Sequence, residues 1–161
     1  MIREARLSDI STIHDMIVEL AVYEKEPDAV VATPRDLEDA LFGSAPALFA
    51  HVAEDGGGNV VGFALWFLNY STWLGKHGIY LEDLYVKPEH RGAGYGAALL
   101  STLASICLER GYGRLEWWVL DWNTPARDFY SSIGADALTE WIPYRVTGDS
   151  LTELATRSAS A

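Results

Sequence analysis

Apolar positions in the first third of the chain recur at the spacing of helix faces. Ser8 stands before the first run and is its expected N-cap. The apolar residues of that predicted helix share one face: Ile10, Ile13, Ile17 and Leu20. A short strand is expected over residues 1–6, and Thr33 followed by Pro34 predicts a second helix over residues 34–42.

The middle of the chain changes to strand-like runs. Residues 47–55 and 59–70 are rich in β-forming side chains and are separated by a glycine turn, which predicts a hairpin. A further strand is expected at His77–Val86, followed by a helix from about Gly92 to Glu109.

The last third predicts a fifth strand over residues 112–120 and a short helix that begins at Asn123 or Thr124 and ends at Gly134. One or two final strands over residues 136–146 and a last helix over 150–157 complete the pattern. Helices and strands in this order predict an α/β fold with one mixed sheet, in a single domain over residues 1–161.

Composition narrows the class of protein. The chain has 161 residues, is 49% hydrophobic and carries a net charge of −11. Such acidity disfavours nucleic acid as a partner, and it either attracts small cations such as amines or only aids solubility. No membrane span or signal peptide is expected, and the single cysteine, Cys107, makes a Cys-rich metal site improbable. We therefore expect a cytoplasmic protein without a metal.

A glycine-rich stretch precedes the predicted third long helix, and it begins with a basic residue. Its members are Arg91, Gly92, Ala93, Gly94, Tyr95, Gly96 and Ala97. The spacing fits neither a P-loop nor a dinucleotide-binding turn. Free backbone N–H groups at a helix start favour an anion, and a diphosphate would suit them. The alternative is a flexible loop before an ordinary helix.

Two adjacent carboxylates, Glu82 and Asp83, interrupt an otherwise apolar strand. Carboxylates there are costly unless they are paired or functional, and strand alternation predicts that the two lie on opposite faces. We expect a functional role for Glu82. For Asp83, a role in the site and a structural ion pair with an arginine both stay open.

The segment "RGAGYG" resembles the acetyl-CoA signature of the GNAT superfamily of N-acetyltransferases. Together with "YLEDLYV" and "WNTPARDFYSSIGA", it resembles the diamine branch, which includes the spermidine/spermine and thialysine enzymes. The resemblance implies an acyl-CoA N-acyltransferase fold, with the sheet splayed between strands 4 and 5. It also implies a homodimer and direct acetyl transfer from acetyl-CoA to a primary amine of a diamine, polyamine or thialysine-like amino acid.

The resemblance also implies roles for particular residues. Backbone N–H groups from Arg91 to Ala97 would hold the pyrophosphate of the coenzyme, and the strand edge formed by Leu84, Tyr85 and Val86 would hold its pantetheine arm. Asn123 would bind the same arm or cap a helix. Glu82 would accept the amine's proton through water, and Tyr130 would protonate the departing thiolate.

The acceptor pocket is expected to combine carboxylates with aromatic rings, which suit a cationic amine. Its expected members are Tyr23, Glu24, Trp73, Glu82, Asp83 and Trp141. The "YDPW" of typical diamine enzymes is "YSTW" here, so Ser71 stands where an aspartate would bind a distal ammonium. A shorter diamine or a lysine-like amino acid is then as well supported as a polyamine.

Two other functions remain open from the sequence. A protein or peptide N-acetyltransferase would share the signature but have an open groove for its acceptor. A non-catalytic acyl-CoA-binding module would keep the glycine stretch without needing Glu82 and Tyr130.

Overall fold

A five-stranded sheet organises the first 120 residues of the computed structural model, which describes residues 1–157. The strands are β1 (Ile2–Glu4), β2 (Phe49–Glu54), β3 (Val60–Ser71), β4 (Lys76–Val86) and β5 (Leu115–Glu116). The helices are α1 (Ile10–Tyr23), α2 (Pro34–Phe42), α3 (Tyr95–Arg110), α4 (Thr124–Ser132) and α5 (Gly148–Thr156). The strands lie in chain order; the first four are antiparallel and β5 runs parallel to β4.

The sheet opens between β4 and β5. β4 pairs with β3 from Lys76 to Val86, but β5 pairs with β4 only at Ile79 and Tyr80. Beyond Tyr80, the outer edge of β4 has no strand partner among the described residues. The predicted mixed sheet, splayed between strands 4 and 5, is therefore confirmed.

One face of the sheet is covered by α1 and α2. Their buried residues pack with alternate residues of β2, β3 and β4 in one cluster: Ile10, Ile13, Met16, Leu37, Leu41, Ala50, Val52, Phe63, Leu65 and Tyr85. Helix α3 buries Leu99, Leu100, Leu103 and Cys107 and contacts the strands as well. Burial of these apolar side chains stabilises the sheet that carries the site.

The N-terminal helix is not capped by Ser8 as predicted, because its N-cap residue is Asp9. Residues Leu7–Asp9 form a 3-10 turn, and the Asp9 carboxylate accepts the Arg6 N–H at 2.7 Å and bonds from the Arg3 guanidinium. Burial works to raise the pKa of Asp9, but the bonds from Arg3 and Arg6 outweigh it and leave the pKa below its usual value. Asp9 is buried and paired with Arg3, and it takes the N-cap position that was expected for Ser8.

Helix α3 begins at Tyr95, three residues later than predicted. Gly92 and Gly94 have φ of 78° and 85°, in the left-handed region, and Gly94 is the N-cap residue. Glycine adopts this conformation without steric cost, so the glycines shape the loop before the helix rather than its first turn.

The predictions for the last third are partly wrong. β5 is only two residues long, and Trp118, Val119 and Leu120 beyond it are exposed. Residues 136–146 form no strand; they are exposed, and a turn directs Trp141 N–H to the Leu138 carbonyl. Their alternating sequence resembles a strand, but no buried face stabilises one.

Residues 121–157 belong to a second compact unit, which contains α4 and α5. The predicted cap of α4 is confirmed, since the Asn123 side chain accepts the Ala126 N–H at 3.4 Å and Pro125 lies in the first turn. Helix α5 begins two residues before the predicted start.

Candidate active site

The unpaired edge of β4 exposes backbone groups at Leu84 and Val86. Lys87 N–H donates to the Val61 carbonyl at 2.9 Å, toward β3. Because backbone groups alternate sides along a strand, those of Leu84 and Val86 point to the open edge. Arg91 Nε donates to the Val86 carbonyl at 2.9 Å, which confirms this direction for Val86. The Leu84 N–H is therefore directed toward whatever lies along that edge.

The glycine stretch forms an open concave loop before α3. The first intrahelical bond of α3 joins Ala98 N–H to the Gly94 carbonyl at 2.9 Å, so the amides of Tyr95, Gly96 and Ala97 precede it. A Cβ built on Gly92 or Gly94 would meet nothing within 4 Å. The loop therefore has room for an anion beside free amides. The Arg91 amide does not join them, because it donates to the Pro88 carbonyl at 3.2 Å.

The Arg91 side chain lies between two aromatic rings. Its guanidinium carbon is 5.0 Å from the Tyr23 ring centre and 5.3 Å from that of Tyr85. These distances are typical of cation–π contacts. Arg91 therefore connects the glycine loop with the C-terminal end of α1.

Three carboxylates meet at the end of α1. On β3, Leu65 pairs with Asp83 and the next residue, Trp66, pairs with Leu81. Glu82 is therefore the extra residue of a β-bulge in β4. Burial, together with the charges of Glu82 and Glu24, raises the pKa of Asp83 to about 6. Burial also raises the pKa of Glu24. Crowded carboxylates of this kind favour a bound cation.

The bulge changes how side chains alternate around the acidic pair. Simple alternation predicts Leu81 and Asp83 on one face, but the extra residue places Asp83 opposite Leu65 and Leu81 opposite Trp66. Asp83 thereby shares the α1 face with Tyr85 and is half-buried, while Glu82 is exposed. Asp83 has no arginine partner among residues 1–157, so the structural ion pair is excluded there.

Glu19 is a neighbour of this site that the sequence did not indicate. Burial raises the pKa of Tyr85, and the Glu19 carboxylate raises it further. Glu19 lies one helical turn before Tyr23 on a solvent-facing part of α1, so it reads as an ordinary surface residue. Only its spacing of four residues from Tyr23 could have linked the two.

The β3–β4 turn holds two residues assigned to the acceptor pocket or its margin. Trp73 is 96% exposed at the tip. Ser71 is buried, and its hydroxyl accepts the Leu74 N–H at 3.1 Å, so it stabilises the turn. Six residues of strand separate Lys76 from Glu82, or about 20 Å. Within one chain, Trp73 is therefore remote from the carboxylates.

The second unit holds three other expected site residues. Tyr130 is half-buried on α4, with its ring 5.5 Å from that of Phe129, and Asn123 is buried at the start of the same helix. Tyr130 and Asn123 lie two turns apart along α4. Trp141 is 71% exposed in the segment after α4.

Residues 1–157 contain neither a metal-binding cluster nor a membrane-spanning helix. No group of three or more His, Cys, Asp or Glu side chains there is arranged to hold a metal ion. In the same range, no helix is long and apolar enough to cross a membrane.

Comparison with known proteins gives concordant matches. The sequence model of the acetyltransferase (GNAT) family matches residues 13–135. The thialysine N-epsilon-acetyltransferase of Bos taurus is 42% identical, with 96% of each chain covered. The L-ornithine N5-acetyltransferase of Arabidopsis thaliana is 32% identical, over 93% of this chain and 85% of that protein. An integron cassette protein of V. cholerae has a TM-score of 0.81 at 28% identity, with 98% of each chain covered.

Proposed function

Because the chain belongs to the acetyltransferase (GNAT) family and is an N-acetyltransferase, we propose that it transfers the acetyl group of acetyl-CoA to the primary amine of a small cationic acceptor. One observation carries this proposal. The charges of Glu24 and Glu82 both act on the carboxylate of Asp83, which lies on β4 where the outer edge has no strand partner, shortly before the glycine loop. A cation and an acyl donor would thus be held side by side.

Acetyl-CoA would supply the activated acetyl group, and the residues present fit it. The free amides of Tyr95, Gly96 and Ala97 suit the pyrophosphate, and the open space at Gly92 and Gly94 admits it. The remaining expected contacts are Ala93 and the open strand edge at Leu84 and Val86; the backbone of Tyr85, which was also expected there, faces β3 instead. Asn123 is proposed to contact the pantetheine arm while it caps α4.

The proposed proton path begins at the carboxylates. Asp83 and Glu24 attract the acceptor as an ammonium ion, and Glu82 removes its proton through water. The Leu84 N–H at the open edge is placed to stabilise negative charge on the acyl oxygen. Tyr130 returns a proton to the leaving thiolate, for which a phenol of similar basicity is suited.

Transfer is proposed to be direct, from one bound substrate to the other. Cys107 is buried on α3, and burial raises the pKa of its thiol. A buried thiol with a raised pKa is a poor nucleophile. An acyl-enzyme on Cys107 is therefore disfavoured.

The acceptor is proposed to be a diamine, polyamine or thialysine-like amino acid. Two similar proteins are named for thialysine and L-ornithine, which supports a small acceptor with a terminal amine. Tyr23 and Glu24 line the proposed pocket, with Trp141 as a further expected member. Trp73 can join it only from a second chain. Peptide acetylation remains the rival activity.

A homodimer is proposed with a cytoplasmic location and without nucleic acid or membrane partners. Apolar side chains on the β3–β4 hairpin, Tyr70, Trp73 and Leu74, are more than half exposed in the single chain. Exposed apolar clusters of this kind mark contact surfaces. Residues 1–161 are proposed to act as one catalytic domain.

The proposal is tested by measuring coenzyme A thiol release from acetyl-CoA with a panel of amines. The panel contains diamines, polyamines, thialysine, L-ornithine, aminoglycosides and peptides. Release with the small amines alone is expected. Thiol release only with peptides would show that the acceptor is a peptide and not a small amine. No thiol release with any amine would favour the non-catalytic acyl-CoA-binding module.

A further inference from the structure

The Arg91 side chain contacts α1 and β4, although its backbone belongs to the glycine-rich stretch. It lines a groove between α1 and the segment that joins β4 to α3. Its Nε donates to the Val86 carbonyl at 2.9 Å, and its guanidinium lies over the rings of Tyr23 and Tyr85. Its backbone N–H donates to the Pro88 carbonyl. These contacts engage Arg91 on the side of α1.

The two rings under the guanidinium belong to different elements. Tyr85 is buried on β4 in the cluster that α1 and α2 cover, and its side chain is hydrogen-bonded to Glu19 of α1. Tyr23 is the last residue of α1, one turn beyond Glu19. Because one ring is fixed in the core and the other ends the helix, Arg91 joins the last turn of α1 to β4.

The backbone just after α1 is strained. Lys25 has a φ of 67°, and it is the one non-glycine residue among residues 1–157 in the left-handed region. Its N–H donates to the Val22 carbonyl at 3.1 Å, and the Glu26 N–H donates to the Ala21 carbonyl at 2.9 Å. A side chain disfavours this conformation, which persists where the surrounding structure holds it. The end of α1 therefore needs support from elsewhere in the fold.

Like charges oppose the position of the α1 end as well. Glu24 lies between Tyr23 and the strained residue, and its charge acts on Asp83 together with that of Glu82. Carboxylates that share a site repel one another when ionised. A contact that ties the end of α1 to β4 is therefore needed to keep Glu24 near Asp83, and the guanidinium on the Tyr23 ring is such a contact.

We propose that Arg91 is a positioning residue for the acceptor site, and that its guanidinium between the Tyr23 and Tyr85 rings keeps Glu24 beside Asp83. The side chain then serves the amine, whereas the resemblance placed this residue with the coenzyme. This inference rests on the proposed function and deepens it. A residue that begins the glycine stretch thereby fixes the carboxylates that attract the acceptor.

The first test removes the guanidinium and keeps an apolar stem. Arg91→Met should raise the KM for L-ornithine about tenfold, because two cation–π contacts and one hydrogen bond are lost. Calorimetry should find the affinity for coenzyme A unchanged. Arg35→Met, which removes an exposed arginine of α2, is the control and should behave as wild type. Weaker coenzyme A binding with an unchanged KM would return Arg91 to the coenzyme and overturn the proposal.

Two further variants separate position from charge. In Arg91→Lys the charge remains, but an ammonium cannot donate to the Val86 carbonyl and lie over both rings at once, so the KM should stay raised. A wild-type KM in this variant would show that charge alone matters. Tyr23→Leu combined with Arg91→Met should raise the KM no more than the larger single change, since both act through one contact. Effects that multiply would contradict the proposal.

Hydrogen exchange of the protein without substrates gives a readout that needs no turnover. The bonded amides of Glu24, Lys25 and Glu26 should exchange about tenfold faster in Arg91→Met and not in Arg35→Met, because the end of α1 opens more often. If no amine is acetylated, the proposed function fails, and the exchange still decides. Faster exchange confined to these amides supports the positioning role, while unchanged exchange, or faster exchange throughout the chain, rejects it.

Discussion

Asp83 carries the least favourable charge of the candidate site. Burial and the charges of Glu82 and Glu24 raise its pKa from the ordinary value of 3.8 to about 6. The folded chain therefore holds this proton more tightly than the unfolded chain, so folding stability falls as pH rises from about 4 to about 6. Above pH 6, the ionised carboxylate costs stability and attracts a cation.

Asp83→Asn should therefore separate function from stability. At pH 7.5, the free energy of unfolding should increase by roughly 1–3 kcal/mol, while the KM for the amine increases about tenfold. Urea unfolding and steady-state kinetics measure the two quantities. In the wild type, the KM for the amine should also rise as pH falls below 6, and the variant should lack this rise. A variant that is both less stable and equally active would show that Asp83 is structural.

Tyr130 is the proposed acid, and its phenol can be removed with little change in shape. Tyr130→Phe should lower kcat about 100-fold, since a positioned general acid contributes this much, and leave coenzyme A binding unchanged. Thiol release measures kcat, and calorimetry measures coenzyme A binding. Tyr144→Phe removes a phenol that is 91% exposed and serves as the control. Equal kcat in both variants would remove Tyr130 from the mechanism.

At the scale of elements, the loop before α3 combines unusual backbone with a specific task. Gly94 has a φ of 85° and caps the helix, and an added Cβ would meet nothing within 4 Å. A side chain at Gly94 is therefore disfavoured by the positive φ and not by a clash with neighbouring atoms. The conformation of the loop, rather than its side chains, therefore defines the proposed anion cradle.

Gly94→Ala should destabilise the protein by about 1 kcal/mol, because alanine is strained at positive φ. Relaxation of the loop should also weaken coenzyme A binding roughly fivefold. Thermal unfolding measures the loss of stability, and calorimetry measures the weaker coenzyme A binding. Gly56→Ala is the matched control, since its added Cβ also meets nothing within 4 Å and its φ is not positive. Identical binding in the two variants would contradict the cradle.

The sequence predicted those elements whose local pattern agrees with their packing. The hairpin of β2 and β3, helix α2 with its Thr33 cap, and the Asn123 cap of α4 follow from short-range chemistry. The bulge at Glu82 could not be predicted, because it depends on the register with β3. Residues 136–146 have a strand-like pattern, and only tertiary contacts decide whether such a segment pairs.

The candidate site likewise contains residues that the sequence indicated and residues that it did not. Arg91 and the glycines were found by motif, and the charges of Glu82 and Glu24, two other expected site residues, act on the Asp83 carboxylate. Glu19 was missed, because a charged residue on the exposed side of a helix has no sequence signal of its own. Trp73 was assigned to the pocket, and the fold places it at the tip of a hairpin turn.

The whole molecule adds a long-range field to these local contacts. A net charge of −11 attracts cationic acceptors and repels the anionic coenzyme. Such a field is screened by salt, with a Debye length of about 10 Å at 0.1 M and about 3 Å at 1 M. The two substrates should therefore respond oppositely to ionic strength.

Raising sodium chloride from about 0.02 M to about 0.5 M should raise the KM for the amine several-fold and lower or leave unchanged the KM for acetyl-CoA. The two KM values come from one set of initial-rate measurements, so each substrate is the control for the other. A parallel change in both would point to a general effect of salt on the protein.

The most direct test of the account is to identify the acetylated nitrogen after reaction of L-ornithine with acetyl-CoA, by fragmentation mass spectrometry. The account predicts one acetyl group on the terminal nitrogen, one coenzyme A released per product, and no acetyl group on Cys107. Acetylation of the α-nitrogen, an acetylated Cys107 that disappears when amine is added, or no product with any small amine would contradict it.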